Sequence, residues 1–439
     1  MIQRNRSTEV AGLLPLVSIM AVLFFVIPLI RLLVFRTTGT VLQMSLISAT
    51  YLFMAFAMTS LRVRNWRTHN STLLLLGLLV PPAVAYLSSV QDAGMTTVLA
   101  SLWIYLVGPA ILIALGGTLT INQIKLTPRE TAIRIRRWLV LSTMCLLAGI
   151  SVNALDAALL GEQFYAVYAD YGSAVPSLIT GVPLPRLSGA YFSGLDLTFA
   201  AILLLTLIRE IEGRMLTFTS LALFVVIALT FTRNSYVILL TWLLAQQLTP
   251  RLLSRAGGLA FLLMPLASIL IALLLGAQVS TGDFEVSAET SSVLTRLTSW
   301  TYIYDTLLSN SANLVLGIGI TQNNLVPGES TIYAIDNFFW ELVCFGGGVA
   351  ILSFGLMFWL IRRYALRQFH GLGHITLVIA AILPVAGLFN NMVGSTLMQA
   401  LFLCCGALCA QYPKPSSCRA TQRVMRQDVP RSPLAISKL

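Results

Sequence analysis

Uninterrupted apolar runs, each long enough to cross about 30 Å of hydrocarbon, recur along this chain and restrict it to few folds. They lie near residues 11–30, 40–60, 71–90, 96–117, 138–158, 191–208, 215–231, 235–249, 257–275, 337–361, 375–390 and 396–411. Inside a bilayer, backbone N–H and C=O groups must be satisfied within a helix or around a closed barrel. Barrel strands alternate apolar and polar residues, and these runs do not, so helices remain. With 57% hydrophobic and 10% charged residues over 439 positions, the chain is expected to be an all-α integral membrane protein of about twelve transmembrane helices.

Basic residues set the orientation. With the N-terminus on the cytoplasmic side, every one of the 28 Lys and Arg residues except Arg31, Arg36, Arg186, Arg233 and Arg296 falls inside, as the positive-inside rule demands. The net charge of +11 therefore faces anionic headgroups. No basic stripe is interleaved with exposed aromatics, so nucleic acid is not an expected partner. Both termini are expected to be cytoplasmic. The first apolar run follows a basic segment as a signal peptide does. It lacks a small-x-small cleavage site and carries Pro15 and Pro28, so it reads as a retained helix. The six cysteines lie in or beside apolar runs without metal-ligand spacing, which indicates neither a disulfide framework nor a zinc site.

Six stretches follow. Residues 1–160 hold spans one to five, and 161–191 form a first long outside loop. Residues 192–275 hold spans six to nine, and 276–335 form the largest outside segment. Residues 336–411 hold the last three spans, and 412–439 form a basic, Pro/Ser-rich cytoplasmic tail that reads as disordered. Outside loops this long in a compact membrane protein usually carry function. Within the larger one, Ser291 and Ser292 are candidate caps for a helix running to about Asn310. Leu294, Leu297, Tyr304 and Leu308 share one face. That helix is expected to lie on the bilayer surface with Trp300, Tyr302 and Tyr304 at headgroup level.

The outside arginines are the main candidates for chemistry. Arg31 and Arg36 sit at a helix end, where snorkelling is the ordinary role. Arg233 lies in the short junction Thr232-Arg233-Asn234, Arg186 follows Pro183 and Pro185 just before a span, and Arg296 lies on the surface helix. Guanidinium matches phosphate bidentately and Lys does not. These outside loops contain no Lys, so the three arginines together point to an anion site. Asp336 begins the next span, either as a helix cap or as a reactive carboxylate. Glu341 lies about 7.5 Å deeper at 1.5 Å per residue. At that depth it must be protonated or face an arginine or a water-filled cavity. Gly346, Gly347 and Gly348 lower the bulk of this helix where a neighbour approaches. Asp283 and Glu285 are the one closely spaced outside carboxylate pair before the surface helix, a weak metal signal. Neither a metal nor any other cofactor is expected, and no phosphate-binding loop indicates nucleotide hydrolysis.

Four segments in order carry a family resemblance. They are Pro185-Arg186-Leu187-Ser188-Gly189-Ala190-Tyr191-Phe192; Phe231-Thr232-Arg233-Asn234-Ser235; Arg296 and Trp300 followed by Leu316-Gly317-Ile318-Gly319; and Asp336-Asn337 through Glu341 to Gly346-Gly347. Over roughly residues 183–350 the chain resembles the Wzy-type O-antigen and exopolysaccharide polymerases, which are related to the O-antigen ligases. The junction reading Thr-Arg-Asn and the aromatic Trp340 depart from the family pattern.

The resemblance implies a GT-C-like, metal-independent membrane glycosyltransferase acting at the periplasmic face. A growing glycan would leave its undecaprenyl-pyrophosphate carrier and join the non-reducing end of a lipid-linked repeat unit. Donor and acceptor are both undecaprenyl-pyrophosphate-linked oligosaccharides, with membrane lipids, a chain-length regulator and a flippase as further partners. Asp336, Arg296 and Arg233 are then the expected catalytic residues. Arg186, Tyr191, Trp300, Tyr304, Asn337 and Glu341 are the expected substrate contacts. Related ligases carry a histidine where this chain has Asp336, and His69, His370 and His374 all map inside, which favours polymerase over ligase. A transporter of similar span number is the other class. Facilitators join two halves through a long cytoplasmic linker, whereas the connection after the sixth span here is only Arg209 to Arg214.

Overall fold

The computed structural model describes residues 13–34, 70–90, 94–119, 128–155, 189–191, 193–212, 217–230, 232–280, 288–321, 335–367, 371–388, 390, 392 and 394–411. Every regular element among them is a helix. Helix α1 covers residues 13–34, with a π-helical turn at Val22–Val26. Then follow α2 (Asn70–Gly77), α3 (Val80–Ser89), α4 (Met95–Leu102), α5 (Gly108–Leu119), α6 (Pro128–Leu155), α7 (Gly194–Glu212), α8 (Phe218–Ala228) and α9 (Arg233–Ala245). The remainder are α10 (Pro250–Ser280), α11 (Ala288–Ser309), α12 (Ser311–Leu316), α13 (Phe338–Arg367), α14 (Leu372–Gly387) and α15 (Thr396–Gln411).

Among the described residues, six helical segments are long and apolar enough to cross a membrane: Leu13–Ile30, Thr72–Ser89, Met95–Gly117, Glu130–Leu155, Pro250–Ile271 and Phe338–Arg367. Shorter apolar helices run Phe218–Ala228, Leu372–Gly387 and Thr396–Cys409. The run near 40–60, Arg36, Arg186, Asp283, Glu285 and the tail from 412 lie outside the described residues. The outward faces of the long helices are themselves apolar. On α10, Leu259, Leu262, Leu266 and Leu270 recur at helical spacing and are 57%, 67%, 61% and 55% exposed. A contiguous stripe of that kind suits hydrocarbon and not water.

Helix α7 is buried on all sides from Leu197 to Ile208, as a helix apolar around its whole circumference should be. It contacts α6, α8, α9, α14 and α15. The closest approach is between α5 and α15. A Cβ on Gly116 would stand 2.0 Å from the Leu403 carbonyl oxygen, and one on Gly406 would stand 1.9 Å from that of Ile113. Small residues let transmembrane backbones meet in this way.

Polar side chains tie the helix ends into two separate groups. In the first, Arg209 Nη2 donates to the Gln246 carbonyl at 2.9 Å, and Glu210 accepts from Gly371 N and meets His374 Nδ1, both at 2.9 Å. In the second, Thr198 donates to Ser235 at 2.6 Å, Asn337 Nδ2 to the Leu388 carbonyl at 3.0 Å, and Ser89 to the Leu316 carbonyl at 3.4 Å. No bond in either group mixes ends that the hydropathy pattern assigns to opposite faces.

Candidate functional site

The candidate site is built where α11, α12 and the start of α13 meet. Helix α11 had been expected to lie on the bilayer through Leu294, Leu297, Tyr304 and Leu308. Its buried face instead runs through Leu297, Trp300, Ile303 and Leu307, joined by Ile335, Trp340 and Cys344, with Tyr304 partly buried against them. Leu308 is 55% exposed. The covering surface is protein, because α11 packs on α10 and α13. Trp300 is accordingly packed against protein rather than presented on the surface. It is buried, and its indole N–H donates to the Ile335 carbonyl at 2.8 Å. That bond ties α11 to the residue just before Asp336.

Arg296, one turn before Trp300, reaches the same place. Its Nε donates to Asp336 Oδ2 at 3.0 Å, and Nη2 lies 3.0 Å from the same oxygen. The two side chains are 34% and 28% exposed, so the pair is open to solvent yet anchored by buried neighbours. Asp336 has φ +33°, the one positive value at a non-glycine position among the described residues. Asp and Asn tolerate this region best, because their short side chains bond locally. Among the described residues Oδ1 meets no donor.

Asp336 is not the helix cap. That role belongs to Asn337, which is fully buried. Its Oδ1 accepts from Phe339 N at 2.9 Å and Trp340 N at 3.2 Å, as an N-cap does. Its Nδ2 donates to Ser268 Oγ of α10 at 3.1 Å and to the Leu388 carbonyl at 3.0 Å. All four amide positions are spent within the protein, so the geometry gives Asn337 a structural place rather than a substrate contact.

Glu341 is 1% exposed and accepts a hydrogen bond from the Tyr105 hydroxyl. Tyr105 stacks on Phe345, with ring centroids 4.0 Å apart, and Phe345 stacks in turn on Tyr86. Glu341 was expected to be protonated or to face an arginine or a water-filled cavity; the structure places a tyrosine hydroxyl against it, behind an aromatic wall. Tyr191, also expected to touch substrate, is buried, and its hydroxyl donates to the Phe24 carbonyl at 2.6 Å. Phe24 lies in the π-helical turn, and residue 28, four positions on, is proline with no N–H to offer its carbonyl.

Helix α13 is broken where its glycines fall. Gly346 has φ −151°, ψ 22°, and Gly347 has φ 56°, ψ −145°. The break exposes the Cys344 carbonyl, which accepts from both Ile318 N and Gly319 N at 3.1 Å. The Gly-Ile-Gly turn after α12 is thereby seated in the gap, and only glycine fits on either side. A Cβ on Gly317 would lie 2.7 Å from the Cys344 carbonyl, and one on Gly347 would lie 2.5 Å from Gly317 N. The two glycine motifs of the sequence are one joint, and it holds α11 and α12 against the helix that carries Asp336.

Arg233 is exposed at the first position of α9 and meets no acidic partner among the described residues. Its neighbour Ser235 is tied to α7 through Thr198 at 2.6 Å, and α9 packs on α14, whose far end bonds Asn337. Arg186 lies outside the described residues. No group of three or more His, Cys, Asp or Glu able to hold a metal occurs among the described residues. The pairing of Arg296 with Asp336 across forty positions and the capping by Asn337 had no signal in the sequence beyond their motifs. No family model, curated protein or solved structure matches this chain.

Proposed function

We propose that this chain is a membrane glycosyltransferase of the Wzy polymerase type, extending lipid-linked polysaccharide at the periplasmic face. The observation that carries the reading is the half-open Arg296–Asp336 pair at the start of α13. A base working on a sugar hydroxyl needs a carboxylate that is positioned yet reachable. Asp336 is positioned through Oδ2 by Arg296 and by the strained backbone at φ +33°, and its side chain keeps 28% of its surface exposed. In this reading the acceptor hydroxyl attacks the anomeric carbon of the donor glycan while its proton passes to Asp336. The C–O bond to undecaprenyl pyrophosphate breaks as the new glycosidic bond forms. The developing charge on the departing pyrophosphate is met by Arg296 and Arg233, with Arg186 as the third cation, in place of a metal. Trp300 and Tyr304 hold the helix that delivers Arg296, a supporting task rather than direct contact. The carboxylate at position 336, where related ligases place histidine, favours polymerase over ligase. No observation in the fold favours transport.

The test is Asp336→Asn in the purified full chain, incubated with a lipid-linked repeat unit and read as a ladder on a gel. Asn tolerates the positive φ, so the variant is expected to reach wild-type yield and to form no ladder. A ladder of normal length and rate from Asp336→Asn removes Asp336 from the chemistry and the reading with it.

A further inference from the structure

The basic ends of α10 and α13 form a second site, on the group of helix ends opposite to Asp336. A cavity of about 340 Å³ opens there, lined by Ser254, Trp359, Arg362, Arg363, Leu366 and Arg367. No described acidic residue lines it. Snorkelling alone would turn each guanidinium outward to water. Arg362 is instead turned inward across α10, and its Nε donates to Ser254 Oγ at 3.2 Å. It fits because position 258 has no side chain: a Cβ there would stand 1.9 Å from Arg362 Nη1. Arg363 is held from the other side, its guanidinium carbon 5.3 Å from the centroid of the Trp359 ring.

Above the cavity both helices present apolar residues to the outside. On α13, Leu352, Leu356 and Trp359 are 74%, 45% and 48% exposed and lie on the face that continues to Arg363. On α10, Leu262 and Leu259 lead down to exposed Arg255. The Phe261–Phe358 contact, with centroids 4.8 Å apart, packs the two helices against each other. The groove is apolar along its length and cationic at one end. That is the pattern of a phospholipid, with chains in hydrocarbon and a phosphodiester at the interface.

We propose that this seam binds an anionic phospholipid, its phosphodiester held by Arg362, Arg363 and Arg367 and an acyl chain lying along the Leu259/Leu262 and Leu352/Leu356 stripes. The inference does not depend on the polymerase reading. The experiment is native mass spectrometry of the full chain in detergent, titrated with phosphatidylglycerol, with phosphatidylcholine of the same chains, and with soluble glycerol 3-phosphate. Phosphatidylglycerol is expected to bind at least about tenfold more tightly than either comparison, as two or three guanidinium–phosphate contacts allow. Arg363→Gln/Arg367→Gln, which changes two exposed side chains, is expected to abolish that preference, and Gly258→Val to weaken it by displacing Arg362. Equal binding of phosphatidylcholine leaves only ordinary annular lipid and overturns the proposal. Equal binding of glycerol 3-phosphate overturns the lipid source, and an unchanged preference in the double variant overturns the arginine clamp.

Discussion

Asn337→Ala separates a residue that builds the site from one that touches substrate. The substitution removes an N-cap, worth about 1 kcal/mol, from the start of α13. It also removes the donor to Ser268 of α10 and to the Leu388 carbonyl at the end of α14. Hydrogen bonds between transmembrane helices average about 0.6 kcal/mol each, because the membrane-embedded unfolded state finds other partners. The two together contribute about 1.2 kcal/mol on that scale, and the whole loss is about 2 kcal/mol, or roughly 30-fold in the unfolding equilibrium at 1.36 kcal/mol per decade. Equilibrium unfolding in mixed micelles of rising dodecyl sulfate content reads this directly. Ser268 keeps its own bond to the Met264 carbonyl at 2.9 Å, so Ser268→Ala should cost less. The double variant should be less destabilised than the sum, because the Asn337–Ser268 bond can be lost only once. Wild-type unfolding of Asn337→Ala, combined with loss of polymer, would refute the argument and return Asn337 to the substrate site.

Gly347→Ala should destabilise the chain by at least about 2 kcal/mol, since its backbone region is nearly glycine-only and the added carbon would lie 2.5 Å from Gly317 N; the same unfolding assay checks it, and an unshifted curve would mean the joint is not closed as described. Chain extension in vitro is expected to survive EDTA, because arginines carry the leaving-group charge in the proposed reaction. Loss of the ladder, restored by added Mg²⁺, would bring Asp283 and Glu285 forward instead.

Parts of the site were legible in the sequence because they obey local rules. The start of a helix near 336 follows from a polar pair before an apolar run, Gly317 and Gly319 mark a turn, and the glycines at 346–348 mark a close approach of a neighbour. Their mutual fit was not legible. Nothing along the chain says that the Cys344 carbonyl receives Ile318 and Gly319, since the pairing depends on how a loop folds back. The face of α11 was misread by one position at its far end, Leu308 for Leu307, because its partner is a protein surface whose position the helix does not encode. Tyr191 and Glu341 have the residue types of substrate contacts, yet one bonds the Phe24 carbonyl inside the protein and the other meets Tyr105.

Hydropathy and charge act residue by residue along the chain, so the sequence by itself determined that this protein is helical, apolar on its outward faces and biased in its basic residues toward one set of helix ends. Which carboxylate meets which guanidinium, which asparagine caps α13, and where Arg362 finds room were decided only by the tertiary structure. Those outcomes are contacts between segments dozens to hundreds of positions apart, and their energy exists only once the helices are packed.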